Sequence, residues 1–297
     1  MDHAHYRYSP LPLRSAAPLP AGLHFYVVLY LEHWDFQAPP GSLRDPRFVG
    51  EFGSFNPDYR SWSQREYGLR IGVFRLLEAL QQEGLTPSVA ANSLVLPRVP
   101  SLVAALRDLG ASWLGHGVAA TRLMHSDQPL QTQCDHIESA LDALRRLAGP
   151  AQGWLSQDWG TSVHTFGLLS DAGLNYTLDW GNDDQPYWLE PAGQSGRRLL
   201  ALPLSSEWDD VQAQWLRHLE PAQHAQQILQ AARHLADECG HHQRCAVLGL
   251  GLHPWVWGMP SRVGHLRRLL AQLRQVQGLT VSTTDHLYAQ AAARAQP

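Results

Sequence analysis

Five apolar runs in this chain end in an acid or an imidazole. Tyr26-Val-Val-Leu-Tyr-Leu31 leads into Glu32-His33-Trp34-Asp35, Ser112-Trp-Leu-Gly115 into His116, and Gly153-Trp-Leu-Ser156 into Gln157-Asp158-Trp159. Asn175-Tyr-Thr-Leu178 leads into Asp179-Trp180 with Asp183 close behind, and Val247 to Leu252 into His253-Pro254-Trp255. Singly, each has an ordinary structural explanation. A histidine closing a strand is commonly just hydrogen-bonded, Gly115-His-Gly117 reads as a tight turn, and Asn182-Asp183-Asp184 reads as a polar loop capping backbone groups. Together they hold the parts for hydrolysis of a carbon–nitrogen bond: a carboxylate to take a proton from water, an imidazole to give one to the departing nitrogen, and further groups for the developing oxyanion. Nucleophilic serine or cysteine chemistry has less behind it, because there is no G-x-S-x-G elbow and no cysteine at a strand end. Gly249-Leu-Gly251 lies within a strand, a poor place for a nucleotide loop.

Chemistry gathered from several strand ends requires parallel strands that open on one side, as in (β/α) barrels. The runs are apolar on both faces, as strands buried on both sides are. Helical stretches alternate with them: Ser63 to Gly84, Pro97 to Gly110, Leu130 to Leu147, Ser162 to Gly173, Pro221 to Glu238 and Ser261 to Val276. This predicts an α/β fold, a distorted barrel of about seven parallel strands or an open sheet. Ser63-Gln-Arg-Glu66 has the pattern of a capping box, which accounts for Glu66, while Arg65 and Arg70 read as residues of a solvated helix face. Residues 1–22 read as an irregular N-terminal arm and 23–297 as one barrel domain. At about 34–62 an insertion rich in aromatics (Phe36, Phe48, Phe52, Phe55, Tyr59 and Trp62) reads as a folded lid beside the active face.

A net charge of −4 gives no sign of a nucleic-acid partner. No apolar run reaches the ~20 residues of a membrane helix, and no basic, apolar leader opens the chain, so a cytoplasmic protein is expected. Cys134, Cys239 and Cys245 match neither a disulfide framework nor a zinc clip. The 11 tryptophans suit a pocket or a core equally, and leave open a homo-oligomer interface.

The ordered set Leu-Glu-His33, Ser63-x-Arg-Glu-Tyr-Gly-x-Arg70, Gly-His-Gly117, Asp-Trp180, Asn-Asp-Asp-Gln-Pro-Tyr187 and Leu-His-Pro254 resembles the polysaccharide deacetylase (NodB-homology) superfamily, and within it the allantoinase-like branch. The resemblance runs from about Tyr8 to Tyr288. It implies a distorted (β/α) barrel and hydrolysis of non-peptide C–N bonds in N-acetylated sugars or in cyclic ureides and imides. It places Glu32 at the catalytic base, His33 and His116 at metal-binding positions, His253 at the general acid, and Asp179-Trp180 at the element that orients that histidine. Ala120 stands where the second metal histidine belongs, and Leu155-Ser-Gln-Asp-Trp159 replaces the arginine motif that steadies the base. The allantoinase-like branch is associated with loss of the metal, so the resemblance implies no cofactor, with one zinc ion at His33 and His116 as the alternative.

The resulting expectation is an amidohydrolase of a small-molecule amide, ureide or imide. Glu32, its pKa raised by apolar neighbours, activates water, and His253 protonates the leaving nitrogen. His116 and His33 polarise the carbonyl, and Asp179 or Asp183 fixes an imidazole tautomer. Trp34, Arg70, Asp158, Trp159, Trp180, Asp183 and Trp255 surround the substrate. Metal-dependent deacetylation of N-acetylated sugars and a non-catalytic binding protein on the same barrel are the competing readings.

Overall fold

The computed structural model describes residues 5–14, 17–40, 42, 57–191 and 193–295. The first strand, β1 (Gly22–Leu31), is the hub of a nine-stranded sheet. Over Gly22–Leu29 it pairs in parallel with β8 (Cys245–Leu252). Its other edge takes β9 (Leu279–Val281) at Leu23–Phe25 and β2 (Ser88–Ala91) at Val28–Leu31. From β2 the sheet continues in parallel through β3 (Ser112–Gly115), β4 (Gly153–Trp154), β5 (Tyr176–Thr177) and β7 (Leu199–Ala201). The one antiparallel member, β6 (Tyr187–Leu189), hangs on β7. This is the mostly parallel, incompletely closed barrel that the alternating pattern predicts.

Alternation along β1 sorts its side chains into two cores, since successive residues of a strand point to opposite faces. Leu23, Phe25, Val27, Leu29 and Leu31 pack outward against the helices. Tyr26, Val28 and Tyr30 point into the lumen with Leu114, Leu155, Tyr176, Leu178, Leu200, Leu202 and Val247. The two large rings in this row explain the glycines of β8. A Cβ on Gly249, opposite Tyr26, would meet the tyrosine hydroxyl at 2.6 Å, and one on Gly251 would meet the Tyr30 ring at 3.0 Å. Glycine here makes room for aromatic rings, not for a nucleotide.

The helix before the lumen's active end differs from the sequence expectation. Helix α1 (Tyr59–Tyr67) starts earlier than Ser63, capped by Asp58, whose carboxylate accepts from the amides of Arg60 and Ser61. Ser63 instead donates to the Arg60 carbonyl, and Glu66 pairs with Arg98 at 2.8 Å, so there is no capping box. A π-helical turn, Gly68–Gly72, joins α1 to α2 (Val73–Gln82). Extra-wide turns of this kind are frequent at functional sites. Here the turn lies directly against the loop carrying His253. A Cβ on Gly68 would come within 2.7 Å of the Trp255 amide nitrogen, and one on Gly72 would overlap the Pro254 carbonyl. Backbone is met on both sides, so neither can give way as a flexible side chain could. Gly72→Ala is therefore expected to push the loop off its seat. It should destabilise the fold by about 1–3 kcal/mol or more and lower turnover further than Gly264→Ala, whose added methyl would meet only the far end of Arg268. Paired thermal melts and rate assays check this.

Of the lid-like insertion, Phe36 packs edge-on against Tyr59 and Trp62 at 4.8 and 5.4 Å; Phe48, Phe52 and Phe55 lie outside the described residues. No described helix is long and apolar enough to cross a membrane.

Candidate active site

The inward row of β1 continues past the strand end to Glu32, a buried carboxylate at the mouth of the lumen. Its Oε1 accepts from the Gln157 amide at 2.7 Å and its Oε2 from the Trp34 indole N–H at 3.2 Å. Two imidazoles face the same oxygen: His116 Nε2 at 4.0 Å and His253 Nε2 at 3.9 Å. Parity accounts for both, because His116 follows Leu114, and His253 follows Val247 and the two glycines, on the lumen side of their strands. Tyr30 lies between them, its ring stacked on His253 with centroids 3.9 Å apart and 5.4 Å from His116.

His253 is fixed by a pair of acids that follow β7. Its backbone N–H donates to Asp210 at 2.8 Å and its Nδ1–H to the same carboxylate at 2.6 Å, leaving Nε2 directed at Glu32. Asp209 lies 3.8 Å from Nδ1. Burial alone would lower the imidazole pKa, but the charge and hydrogen bond of Asp210, then the charges of Asp209 and Glu32, raise it to about 9. Burial also pushes the Glu32 carboxyl up, yet His116, His253 and Gln157 outweigh it and hold the pKa at about 2. The expected rise for Glu32 is thus reversed: its lumen neighbours are imidazoles and an amide as well as apolar groups. At neutral pH the pair is a carboxylate facing an imidazolium. Asp209 itself is pushed up, by burial first and by Asp210 beside it.

Beside Glu32 is a space of about 10 Å³, lined by Tyr30, Glu32, Trp34, Arg65, Pro254 and Trp255, enough for roughly one water-sized atom. Its cation is Arg65, almost fully buried, with the guanidinium carbon 3.8 Å over the Trp255 ring, 4.8 Å from Trp34 and 5.7 Å from Trp215. Desolvated contacts of this kind contribute about 2 kcal/mol or more, which offsets part of the burial cost of the charge. Arg70, the arginine expected to face substrate, is exposed, five residues on in the π turn. A larger opening of about 340 Å³ is lined by Asp158, Trp159, Asp179, Gly181, Leu204, Ser206 and Gln212. That is near the lower limit for small-molecule pockets. Asp158 and Trp159 form its rim with φ of 49° and 52°, a left-handed pair that non-glycine residues adopt only where the surroundings impose it.

Three expected roles are not found. Asp179 does not orient His253. It accepts from the Ser156 amide and hydroxyl at 2.6 and 3.0 Å and from Thr177 at 3.0 Å, and burial raises its pKa to about 6. Asp183 lies outside the site, clamped to Arg14 of the N-terminal arm at 2.5 Å. Trp180 packs edge-on against Phe166 at 4.7 Å and His5 at 5.5 Å, anchoring that arm.

A zinc centre at His33 and His116 does not fit these residues either. His33 lies on the opposite parity from Glu32. Its Nδ1 meets Arg98 at 3.0 Å and its Nε2 lies 3.6 Å from Asp35, while burial and Arg98 lower its pKa. His116 directs Nδ1 at the Leu155 carbonyl at 2.6 Å, and its buried Nε2 has no hydrogen-bond partner; Ala120 offers no ligand. The trio whose atoms could hold a cation, among the described residues, is Asp209, Asp210 and His253. There a cation would compete with the proton that joins His253 to Asp210. Sequence reading missed this acid pair, although Ser-Ser-Glu-Trp-Asp-Asp210 follows the β7 apolar run as other acids follow theirs. It also missed Gln157, which stands on the lumen parity of Leu155.

No family model matches the chain. A Schizosaccharomyces pombe protein named "Putative polysaccharide deacetylase" is 24% identical over 237 residues, covering 75% of this chain and 73% of that protein. The crystal structure of PuuE allantoinase superposes with a TM-score of 0.81 at 21% identity, covering 94% of each chain. That of a "probable Polysaccharide deacetylase" from Pseudomonas aeruginosa PAO1 gives 0.78 at 22% identity, covering 95% of this chain and 93% of that one. These superpositions show that the chain has the polysaccharide deacetylase fold, the one that PuuE allantoinase also has.

Proposed function

We propose that the protein hydrolyses a non-peptide C–N bond in a small amide, ureide or imide. The observation that carries this reading is the buried carboxylate–imidazolium pair, Glu32 Oε1 and His253 Nε2 at 3.9 Å, with His253 held from behind by Asp210. Glu32, ionised above about pH 2, takes a proton from water as the water oxygen bonds to the carbonyl carbon. As the tetrahedral species collapses, the C–N bond breaks and Nε2–H of His253, protonated below about pH 9, passes its proton to the leaving nitrogen. The two groups begin in the states that these steps need, their pKa values driven apart by their surroundings. His116 Nε2, buried, without a hydrogen-bond partner and 4.0 Å from Glu32 Oε1, is available to hold the attacking water.

The second reading is a metal-dependent deacetylase of N-acetylated sugars. It is favoured by the names of the fungal and Pseudomonas relatives and by the Asp209–Asp210–His253 trio. The choice is tested by assaying protein before and after chelation on allantoin, small cyclic imides and N-acetylglucosamine oligomers, with metal content measured in parallel. Chelator-resistant ring opening is the expected result. Chelator-sensitive release of acetate with stoichiometric metal supports the second reading. Tight binding with no turnover of any substrate points to a non-catalytic barrel.

A further inference from the structure

We infer that Asn92 is a positioning residue for the general base: it fixes the Gln157 side-chain amide the way round that donates to Glu32. This rests on the C–N hydrolase reading above. Asn92 directly follows β2, on the lumen parity of Ala90, and is fully buried. An amide side chain fits either way round, and its partners decide which end is nitrogen. For Asn92 the deciding partners are both backbone. The His33 N–H can only donate, and it meets Oδ1 at 2.9 Å. The His116 carbonyl can only accept, and it takes a hydrogen from Nδ2. Oδ1 and Nδ2 therefore have one assignment. The second hydrogen of Nδ2 is left for Gln157 Oε1, 3.4 Å away, a long contact that sets orientation more than it adds strength. With its oxygen toward Asn92, Gln157 turns Nε2 to Glu32 Oε1 at 2.7 Å. The opposite orientation would set nitrogen against nitrogen at Asn92 and oxygen against a carboxylate at Glu32. That oxygen of Glu32 is the one that faces His116 and His253, so an acceptor placed beside it would push the carboxylate away from the reacting pair. The direction of one buried amide is thus relayed from the backbone of two strand ends to the base.

The test reads the Gln157 side-chain amide in proton–nitrogen NMR spectra of the full chain, its signal pair identified by its loss in Gln157→Leu. Steady-state kinetics on the best substrate of the assay panel run in parallel. In the wild type the pair is expected to move when Glu32→Gln is introduced, because the carboxylate that it donates to is gone. Asn92→Asp keeps the acceptor for His33 but has no hydrogen for Gln157 Oε1, so the amide should turn round and its signal should stop responding to Glu32→Gln. The backbone amides of Asn92 and Ser93, bonded to the Leu31 and Gly117 carbonyls at 3.0 Å each, hold the loop in this variant. Its kcat should fall roughly 10–100-fold with KM nearly unchanged, the worth of one hydrogen bond to a charged group. Asn92→Ser removes the amide hydrogens without adding a charge, and should weaken the response and lower kcat in the same direction. Once Gln157→Leu is present, neither substitution at Asn92 should lower kcat further, since the two residues act as one unit. A Gln157 signal that still responds to Glu32→Gln in both Asn92 variants, or rate losses that add in the double variants, overturns the assignment. A merely structural asparagine would lower the melting temperature and leave that response intact. The two readings fail separately. Loss of the response in the Asn92 variants without turnover of any substrate by the wild type leaves the positioning and removes the hydrolase. Turnover with a response that Asn92 does not control leaves the hydrolase and removes the positioning.

Discussion

Glu32→Gln is expected to reduce turnover by about 10²–10⁴-fold, the range for loss of a general base, while the protein remains folded. Glutamine keeps the shape, and its carbonyl can still accept from Gln157 or Trp34, which now bond to Glu32 at 2.7 and 3.2 Å. What it lacks is an ionised oxygen to take a proton. It also removes one of the charges that raise the His253 pKa, but Asp210, the larger contributor, remains. Stability should therefore change far less than the rate. Circular dichroism and thermal melting report the fold, and steady-state kinetics on the best substrate from the assay panel report the chemistry. Wild-type kcat in this variant would remove Glu32 from the reaction and, if His253→Ala were equally tolerated, would favour a binding protein.

How far the sequence alone can lead is shown by Glu32 and His33. Apolar runs ending in acids and imidazoles correctly located the open end of the barrel, because buried parallel strands leave little else for polar residues to do there. They could not say which of two adjacent residues faces the lumen. In a half-buried strand the hydrophobic face fixes that parity, but β1 is apolar on both faces, so its pattern is silent. The structure resolves it in favour of Glu32 and His116, and turns His33 toward Arg98 and Asp35. The two arginines of one motif show the same limit: Arg65 is buried beside Trp255 and Arg70 is exposed, and their spacing alone does not say which of the two turns inward. Asp183 was misread for another reason. A polar loop after a strand has the same composition whether it faces the substrate or, as here, receives Arg14 from the arm.

Asp210→Asn is expected to move the alkaline limb of the pH–rate profile. In the wild type, loss of the His253 proton sets that limb at about pH 9, while the Glu32 limb, at about 2, lies below the range of ordinary assays. Rate should thus be flat through neutral pH and fall about tenfold per unit above the upper pKa. The Asp210 charge is what most strongly opposes the burial of the imidazole, and asparagine removes it. The limb should then shift toward or below the ordinary histidine value, making the variant much slower than wild type at pH 8 and closest to it in mild acid. Stability must follow with the same sign. A group whose folded pKa is raised contributes stability that is fully present below its unfolded value, near 6.5, and is lost as pH rises through about 9. The gap in melting temperature between wild type and Asp210→Asn should therefore be widest near pH 6 and narrow by pH 10. Asp210→Ala would leave the Nδ1–H of His253 with no acceptor at 2.6 Å, so the ring would be free to turn and kcat should fall at every pH. A profile whose alkaline limb did not move in Asp210→Asn would mean that another group supplies the proton, and would detach His253 from the leaving nitrogen even if Glu32 proved essential.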